Sequence, residues 1–147
     1  MRCADAIKTI AAELDVFSLV ADADGNYAIR LPTGGVMRLL VRSGERMIFE
    51  AALLPRLQET VRTAEMLLRI LRENMVRALV GATTLTYLKD LDELALSQSL
   101  FLEEYEEESL GVVFRGFLDE VDSWGEWFQL ALHFENELPS NPHNESK

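Results

Sequence analysis

Three strand-like segments between glycine-containing turns constrain the fold of this chain most strongly. The segments are residues 27–31, 36–42 and 46–54, and the turns are Asp24-Gly25, Gly34-Gly35 and Ser43-Gly44. Such dipeptides suit tight turns that need a positive φ. In the second segment Met37, Leu39 and Val41 share one side, because successive side chains of a strand point to opposite faces. The pattern predicts an antiparallel meander with one dry face.

Three segments with helical periodicity accompany this meander. They are residues 3–15, 60–80 and 106–132, and their apolar residues recur every three or four positions, as is typical of amphipathic helices. In the second segment we expect Thr60 to cap the start of the helix and Gly81 to cap its end. Each helix therefore needs a surface on which its apolar side can pack.

A second hairpin is predicted between the last two helices. It comprises a strand over residues 82–88, a turn over 89–92 and a strand over 93–100. The element order is then helix, three strands, helix, two strands, helix. This order predicts an α+β fold in which helices pack on an antiparallel sheet.

Length and composition favour one domain. The chain has 147 residues, of which 48% are hydrophobic, and this is enough for one core. We expect a single domain over residues 1–138. The remaining residues, 139–147, have neither periodicity nor apolar bulk, so they are predicted to form a polar, disordered tail.

The charge and the cysteine content disfavour several classes of function. The chain carries 14 basic and 25 acidic residues, a formal charge of -11, which opposes binding to nucleic acid and to anionic membrane surfaces. Cys3 is the only cysteine, so an internal disulfide is impossible. No run of about 18 apolar residues predicts a membrane span. These features favour a cytoplasmic protein without membrane insertion.

No motif predicts catalysis, a cofactor or a bound metal. The segment 22–26 resembles the start of a calcium loop, but its glycine is fourth rather than sixth, so a solvated turn is the better interpretation. His133 and His143 have no nucleophile at a suggestive spacing. An enzyme whose site unites Asp22, Asp24 and His133 only in the folded chain is a hypothesis without positive support.

Two sets of apolar residues fall outside the predicted core. On a helical wheel of segment 60–80, a broad apolar arc lies opposite a smaller stripe. That stripe consists of Met66 and Ile70, beside Glu73 and Arg77. It is predicted to need a partner of its own. Leu40 and Ile48 point away from the dry face of the sheet, where a binding patch and ordinary surface exposure are both open.

An acidic run before the last helix leaves a further hypothesis open. Its members are Glu103, Glu104, Glu106, Glu107 and Glu108. Acidic side chains at a helix N-terminus are stabilised by the helix dipole, so a solvated face is the simplest interpretation. The alternative is an acidic inhibitor or immunity-type protein that masks a basic surface of its partner.

Two stretches of the chain combine into a family pattern. They are LLRILRENMVRALVGATTLTYLKDLDELALSQSLFL and, after it, LGVVFRGFLDEVDSWGEWF. Together they contain a leucine-rich helix carrying Asn74, a strand, an acidic turn, a second strand and a final helix that ends in aromatic residues. The combination resembles the class I effector chaperones of type III secretion systems, the Tir-chaperone family. The likeness covers residues 7–128 in element order, size and acidity.

The resemblance implies a homodimer without enzymatic activity that binds the N-terminal segment of secreted effector proteins in the bacterial cytoplasm. It implies that the segment is kept non-globular and secretion-competent, by strand addition at a sheet edge and by apolar pockets. A contact with the export machinery is also open. With that role, the candidates for the dimer interface are Met66, Ile70, Glu73 and Arg77. The candidates for effector binding are Val16, Phe17, Leu40 and Ile48.

Overall fold

The computed structural model describes residues 1–16, 18–31, 35–79 and 83–137, the last four of them by their backbone alone. Phe17, Gly34, Gly81 and the tail over 139–147 lie outside the described residues. The predictions made for these positions therefore stay predictions.

The order of helices and strands agrees with the sequence analysis. The elements are α1 (Cys3–Glu13), β1 (Tyr27–Arg30), β2 (Val36–Arg42), β3 (Arg46–Leu54), α2 (Leu57–Thr60), α3 (Ala64–Ala78), β4 (Thr84–Leu88), β5 (Glu93–Phe101) and α4 (Glu107–Glu137). Short 3-10 turns, Lys89–Leu91 and Leu102–Glu104, precede β5 and α4. The predicted α+β fold, an antiparallel sheet with helices packed on it, is confirmed.

The five strands form one antiparallel sheet in the order β1-β2-β3-β5-β4, so β1 and β4 are its edges. Positive φ values at Gly25 (81°) and Gly44 (74°) reverse the chain before β1 and between β2 and β3, as glycine allows without steric cost. In the first of these turns Asp22 Oδ1 accepts hydrogen bonds from the backbone N–H groups of Asp24 and Asn26, at 2.9 and 3.0 Å. The aspartate thus serves the turn itself.

One face of the sheet carries the core. α1 packs on α4, and α4 packs on β3. Phe49 of β3 meets Phe114 and Phe117 of α4 edge-on, with ring centroids 5.4 Å apart in both pairs. Such edge-to-face contacts add to the stabilisation from apolar burial. The other face has no helical layer among the described residues, and Leu40 and Ile48 are only half-buried there.

The start of α3 differs from the prediction, whereas the turn of the second hairpin lies at the predicted residues 89–92. Thr60 ends the short helix α2 and does not cap α3. The N-cap of α3 is Thr63, whose Oγ1 accepts a hydrogen bond from the backbone N–H of Met66 at 3.1 Å. In the second hairpin, Asp92 takes a left-handed conformation with φ 47° after the 3-10 turn. An aspartate tolerates this conformation better than most residues, which explains how the hairpin closes without glycine.

Candidate protein-interaction surfaces

Helix α3 and the residue after it present a broad apolar surface to solvent. Six large apolar side chains are 44–88% exposed, and they are Leu67, Leu68, Leu71, Met75, Val76 and Leu79. We call these six residues the α3 outer face. A monomeric soluble protein rarely exposes a contiguous apolar patch of this kind. The α3 outer face is therefore the strongest candidate for contact with another polypeptide.

The opposite side of α3 faces the interior of the chain. Met66 and Ile70 are each 2% exposed. They belong to the core of the chain, whereas the helical wheel predicted a stripe outside the core that needs a partner of its own. One cause is a polar anchor beside the stripe, because Asn74 Oδ1 accepts a hydrogen bond from the backbone N–H of Leu85 in β4 at 3.2 Å. The role of Met66 and Ile70 in a dimer stays a prediction, but little of either side chain is left for a second copy.

Arg77 joins α3 to the C-terminal half of α4. Its guanidinium carbon lies 4.4 Å from the ring centroid of Trp124, a cation–π contact. Its Nε donates to Glu73 Oε1 at 2.9 Å, and its Nη1 donates to Ser123 Oγ at 2.9 Å. Glu120 adds an ion pair at 3.6 Å. Glu73 and Arg77, both predicted at a dimer interface, thus hold the two helices of one chain together.

A groove of about 430 Å³ extends the α3 outer face onto the edge strand β4. Its apolar walls include Leu57, Leu67, Leu71, Leu85 and Leu94. On β4 the Tyr87 hydroxyl donates to Asp92 Oδ1 at 2.8 Å, and this hydrogen bond is the main cause that raises the pKa of Tyr87. A continuous apolar surface thus runs from the exposed leucines of α3 to the sheet edge.

The face of the sheet without helices carries a second apolar surface. Leu40 and Ile48 are register partners on β2 and β3, and Phe101 at the end of β5 is 50% exposed. We call these three residues the sheet patch. Val16, after α1, is 43% exposed. Leu40 and Ile48 thus lie on the face that strand alternation predicts, and the register makes them direct neighbours. Their role in effector binding stays a prediction.

Sequence reasoning missed the α3 outer face and Phe101 as site residues. The broad apolar arc of α3 predicts core residues, because such an arc normally packs inward. A signal for the alternative existed, since the helix carries apolar residues on two opposite sides. For Phe101 the signal was strand alternation, which places this aromatic residue on the same side of β5 as Ser97 and Ser99.

The titratable groups of the described residues were compared with the requirements of a metal site and of a reactive thiol. Within these ranges no group of three His, Cys, Asp or Glu side chains is placed to hold a metal ion. Burial, and secondarily the charge of Glu45, raises the pKa of the Cys3 thiol, which disfavours the reactive thiolate. None of the helices described is long and apolar enough to cross a membrane.

Comparisons with known proteins agree with this architecture. The sequence pattern of the Tir chaperone protein (CesT) family matches residues 5–125. The comparison with curated protein sequences gave no match. Among solved structures, a chain of the crystal structure of the ExsC–ExsE complex has 14% sequence identity and a TM-score of 0.68, over 86% of this chain and 96% of that one.

Two further structures share the fold. One is the HopA1–SchA chaperone–effector complex, with 17% identity and a TM-score of 0.65 over 82% of this chain and 90% of that chain. The other is the Yersinia pestis type III secretion chaperone SycH with a stable fragment of YscM2, with 18% identity and a TM-score of 0.57 over 81% of this chain and 96% of that chain. At these identities the likeness establishes the fold alone.

The described surfaces and fold are those of a binding protein, and the family match makes the class specific. This chain belongs to the Tir chaperone protein (CesT) family. The predicted family, and with it the prediction of a type III secretion chaperone rather than an enzyme, is confirmed.

Proposed function

We propose that this chain acts in the bacterial cytoplasm as a homodimer that holds the N-terminal segment of an exported effector in an extended, soluble state. The observation that supports this most is the presence of two separate apolar surfaces, the α3 outer face and the sheet patch, on a chain of formal charge -11. Contiguous apolar surface on a soluble protein usually marks an interaction site. Two such surfaces suit two partners.

The α3 outer face, with the groove beside it, is proposed as the dimer surface. Stable interfaces bury roughly 800 Å² on each partner, and this face joins six exposed large apolar side chains to the groove beside strand β4. A two-fold axis would pair this face with itself, as in most homodimers. In this arrangement Leu68 and Leu71 replace Met66 and Ile70 as contact residues. Glu73 and Arg77 would support this surface indirectly, because they hold α3 against α4 within the same chain.

The sheet patch and the segment around Val16 and Phe17 are proposed as the effector surface. If the dimer covers β4, the other edge of the sheet, β1, stays available. An extended effector segment can then add to β1 through backbone hydrogen bonds. A further stretch of the same segment, lying along β2 and β3 on the face without helices, would place its apolar side chains on Leu40, Ile48 and Phe101. The loaded dimer would then present the effector to the export machinery.

The experiment that tests this function is recovery of the partner from the native cytoplasm. We expect the tagged chain to co-purify with a larger exported protein, and mass spectrometry of the proteolysed complex to show protection of that protein's N-terminal region. The variant Ile48→Asp should recover much less partner, because it puts a charge in the sheet patch. Val112→Asp is the matched control, since it adds the same charge to an exposed position on α4.

Two results would contradict the proposal. One is recovery of a small basic protein whose binding weakens steeply with salt, which would favour an acidic inhibitor. The other is equal recovery of the exported protein by the wild type and by Ile48→Asp, which would place the effector elsewhere on the chain.

A further inference from the structure

Two arginines stand directly opposite each other on the open face of the sheet. Arg42 of β2 and Arg46 of β3 are register partners, and both side chains are exposed. Like charges at directly opposed positions of an antiparallel pair destabilise the sheet. We therefore expect a negative charge that offsets the repulsion between the two arginines, either within the chain or on a bound partner.

The same pair of strands also contains an arginine whose charge is neutralised by carboxylates. Arg38 lies four residues before Arg42 on β2, on the same face of the sheet, and its register partner on β3 is Glu50. The two form an ion pair at 2.5 Å, and Glu93 lies 3.7 Å from the same Arg38 nitrogen. Arg38 is thus neutralised within the sheet. The same strand register places an acidic residue opposite Arg38 but a second basic residue opposite Arg42.

Among the residues that the structure describes, only neutral groups accept hydrogen bonds from the opposed arginines. Arg42 Nη1 donates to Asn26 Oδ1 at 3.3 Å and to the carbonyl oxygen of Val41 at 3.0 Å. Arg46 Nε donates to Ser99 Oγ at 2.9 Å. No carboxylate of the described residues lies within 4.0 Å of either guanidinium. This is unexpected in a chain where acidic residues outnumber basic ones by 25 to 14.

The nearest acidic residue in sequence points elsewhere. Glu45 lies in the turn between the two arginines, but its Oε2 accepts a hydrogen bond from the backbone N–H of Cys3 at 2.7 Å. An exposed aromatic ring completes the site, because the Arg46 guanidinium carbon lies 5.8 Å from the ring centroid of Phe101. We call Arg42, Arg46 and Phe101 the arginine corner.

We propose that the arginine corner binds a carboxylate of the extended segment that the sheet patch holds. Leu40 and Ile48 lie two residues from Arg42 and Arg46 on the same face, a separation of about 7 Å along a strand. An extended segment repeats its side chains at the same interval. The segment recognised here therefore carries an acidic residue two positions from a branched apolar one. This inference rests on the proposed function, since it specifies the chemistry of the bound segment.

A titration with synthetic peptides tests the inference without the exported protein. The probe is the acetylated and amidated heptapeptide Thr-Leu-Thr-Glu-Thr-Leu-Thr, and its control has Gln in place of Glu. Both are added to the isotope-labelled full chain, and NMR follows the arginine Nε–H and the Phe101 ring signals. We expect the Glu peptide to shift the signals of Arg42, Arg46 and Phe101 and to bind roughly tenfold more tightly than the Gln peptide, as for hydrogen bonds between charged groups.

Variants locate the effect. Arg42→Gln and Arg46→Gln should each remove most of the preference for the Glu peptide. Arg30→Gln is the matched control, because Arg30 is an exposed arginine on the same face whose partner in the register is Val36, six residues from Arg42, or about 20 Å. It should keep the preference.

Three outcomes would overturn the inference. They are equal affinity for the Glu and Gln peptides, an equal loss in Arg30→Gln, and a fall in the mass of the free protein in Arg42→Gln, which would show that a second copy occupies the corner. The comparison of the two peptides on the wild-type chain needs no variant. If the peptides behave as expected but no exported protein is recovered from cells, the proposed function fails while the arginine corner stands.

Discussion

Helices α3 and α4 both carry a regular apolar stripe, but only α4 buries its broad stripe within the chain. Leu110, Phe114, Phe117, Trp124 and Phe128 of α4 are at most 3% exposed. In α3 the residues of the broad arc are exposed, and the smaller stripe is buried. Periodicity thus identifies the residues that share a side of a helix. It does not tell whether that side is covered by the same chain or by another one.

The difference between the two sides of α3 is tested most sharply by the same substitution at two neighbouring positions of this helix. Ile70→Asp should unfold the chain, at a cost of at least about 4 kcal/mol, because it removes a buried side chain and buries a charge in its place. Leu71→Asp should leave the chain folded and halve its mass in solution, because the charge falls on the α3 outer face. Circular dichroism and light scattering measure the two effects.

The control for this pair is Glu65→Asp, which keeps the charge of an exposed position in the first turn of α3. It should alter neither the fold nor the mass. If Leu71→Asp unfolded the chain at every concentration and Ile70→Asp only dissociated it, the assignment of the two sides of α3 would be reversed.

A truncation in α4 measures the buried stripe. Phe114→Ala should destabilise the chain by about 3–5 kcal/mol in urea unfolding, because it leaves a cavity beside Phe49. Val112→Ala, at an exposed position of the same helix, should change the free energy of unfolding by less than about 0.5 kcal/mol. Similar effects at the two positions would mean that α4 does not pack as described.

The contact between the two helices depends on Arg77. Arg77→Met should cost about 1–2 kcal/mol, since it keeps the length of the side chain but removes the cation–π contact with Trp124 and the hydrogen bonds to Glu73 and Ser123. Tryptophan fluorescence should change as well. Arg62→Met is the control, because Arg62 is an exposed arginine outside the α3–α4 contact. An unchanged stability and spectrum in Arg77→Met would show that the contact contributes nothing.

The smallest expected effect concerns the start of α3. Thr63→Ala should cost about 1 kcal/mol, because it removes the side-chain oxygen that accepts the Met66 N–H. Thr60→Ala should cost less, since the Thr60 hydroxyl donates to the carbonyl oxygen of Pro55 at 3.3 Å and does not cap a helix N-terminus. Thermal unfolding of the two variants side by side decides the matter. A larger loss of stability in Thr60→Ala than in Thr63→Ala would show that Thr60, and not Thr63, caps the helix.

The bounds of the strands could be predicted from the sequence almost residue by residue, although the position of β5 between β3 and β4 could not. Glycine turns and side-chain alternation act locally, so β2 and β3 begin and end where the pattern predicts. The orientation of Leu40 and Ile48 followed from the same alternation. The orientation of α3 could not be obtained in this way, because it depends on contacts with β4 and α4 that no pattern within the helix shows. The hydrogen bond of Asn74 to Leu85 and the position of Arg77 on Trp124 are of this kind.

The arginine corner could be predicted from the sequence only in part. Strand alternation alone puts Arg42 on the same face as Leu40, but only the register between β2 and β3 shows that Arg46 is its direct partner. The sequence also hid the fact that Glu45, adjacent to Arg46, turns toward Cys3. The balance of charge on a sheet face is therefore a property of the fold and not of the composition.

Native mass spectrometry of the complex purified with its exported partner tests the proposed dimer and its bound effector together. We expect two copies of the 16.6 kDa chain with one copy of the effector, and a loss of that stoichiometry in Leu71→Asp. A complex of one wild-type chain with one effector would contradict this expectation, because the α3 outer face would then be exposed with no second copy to cover it.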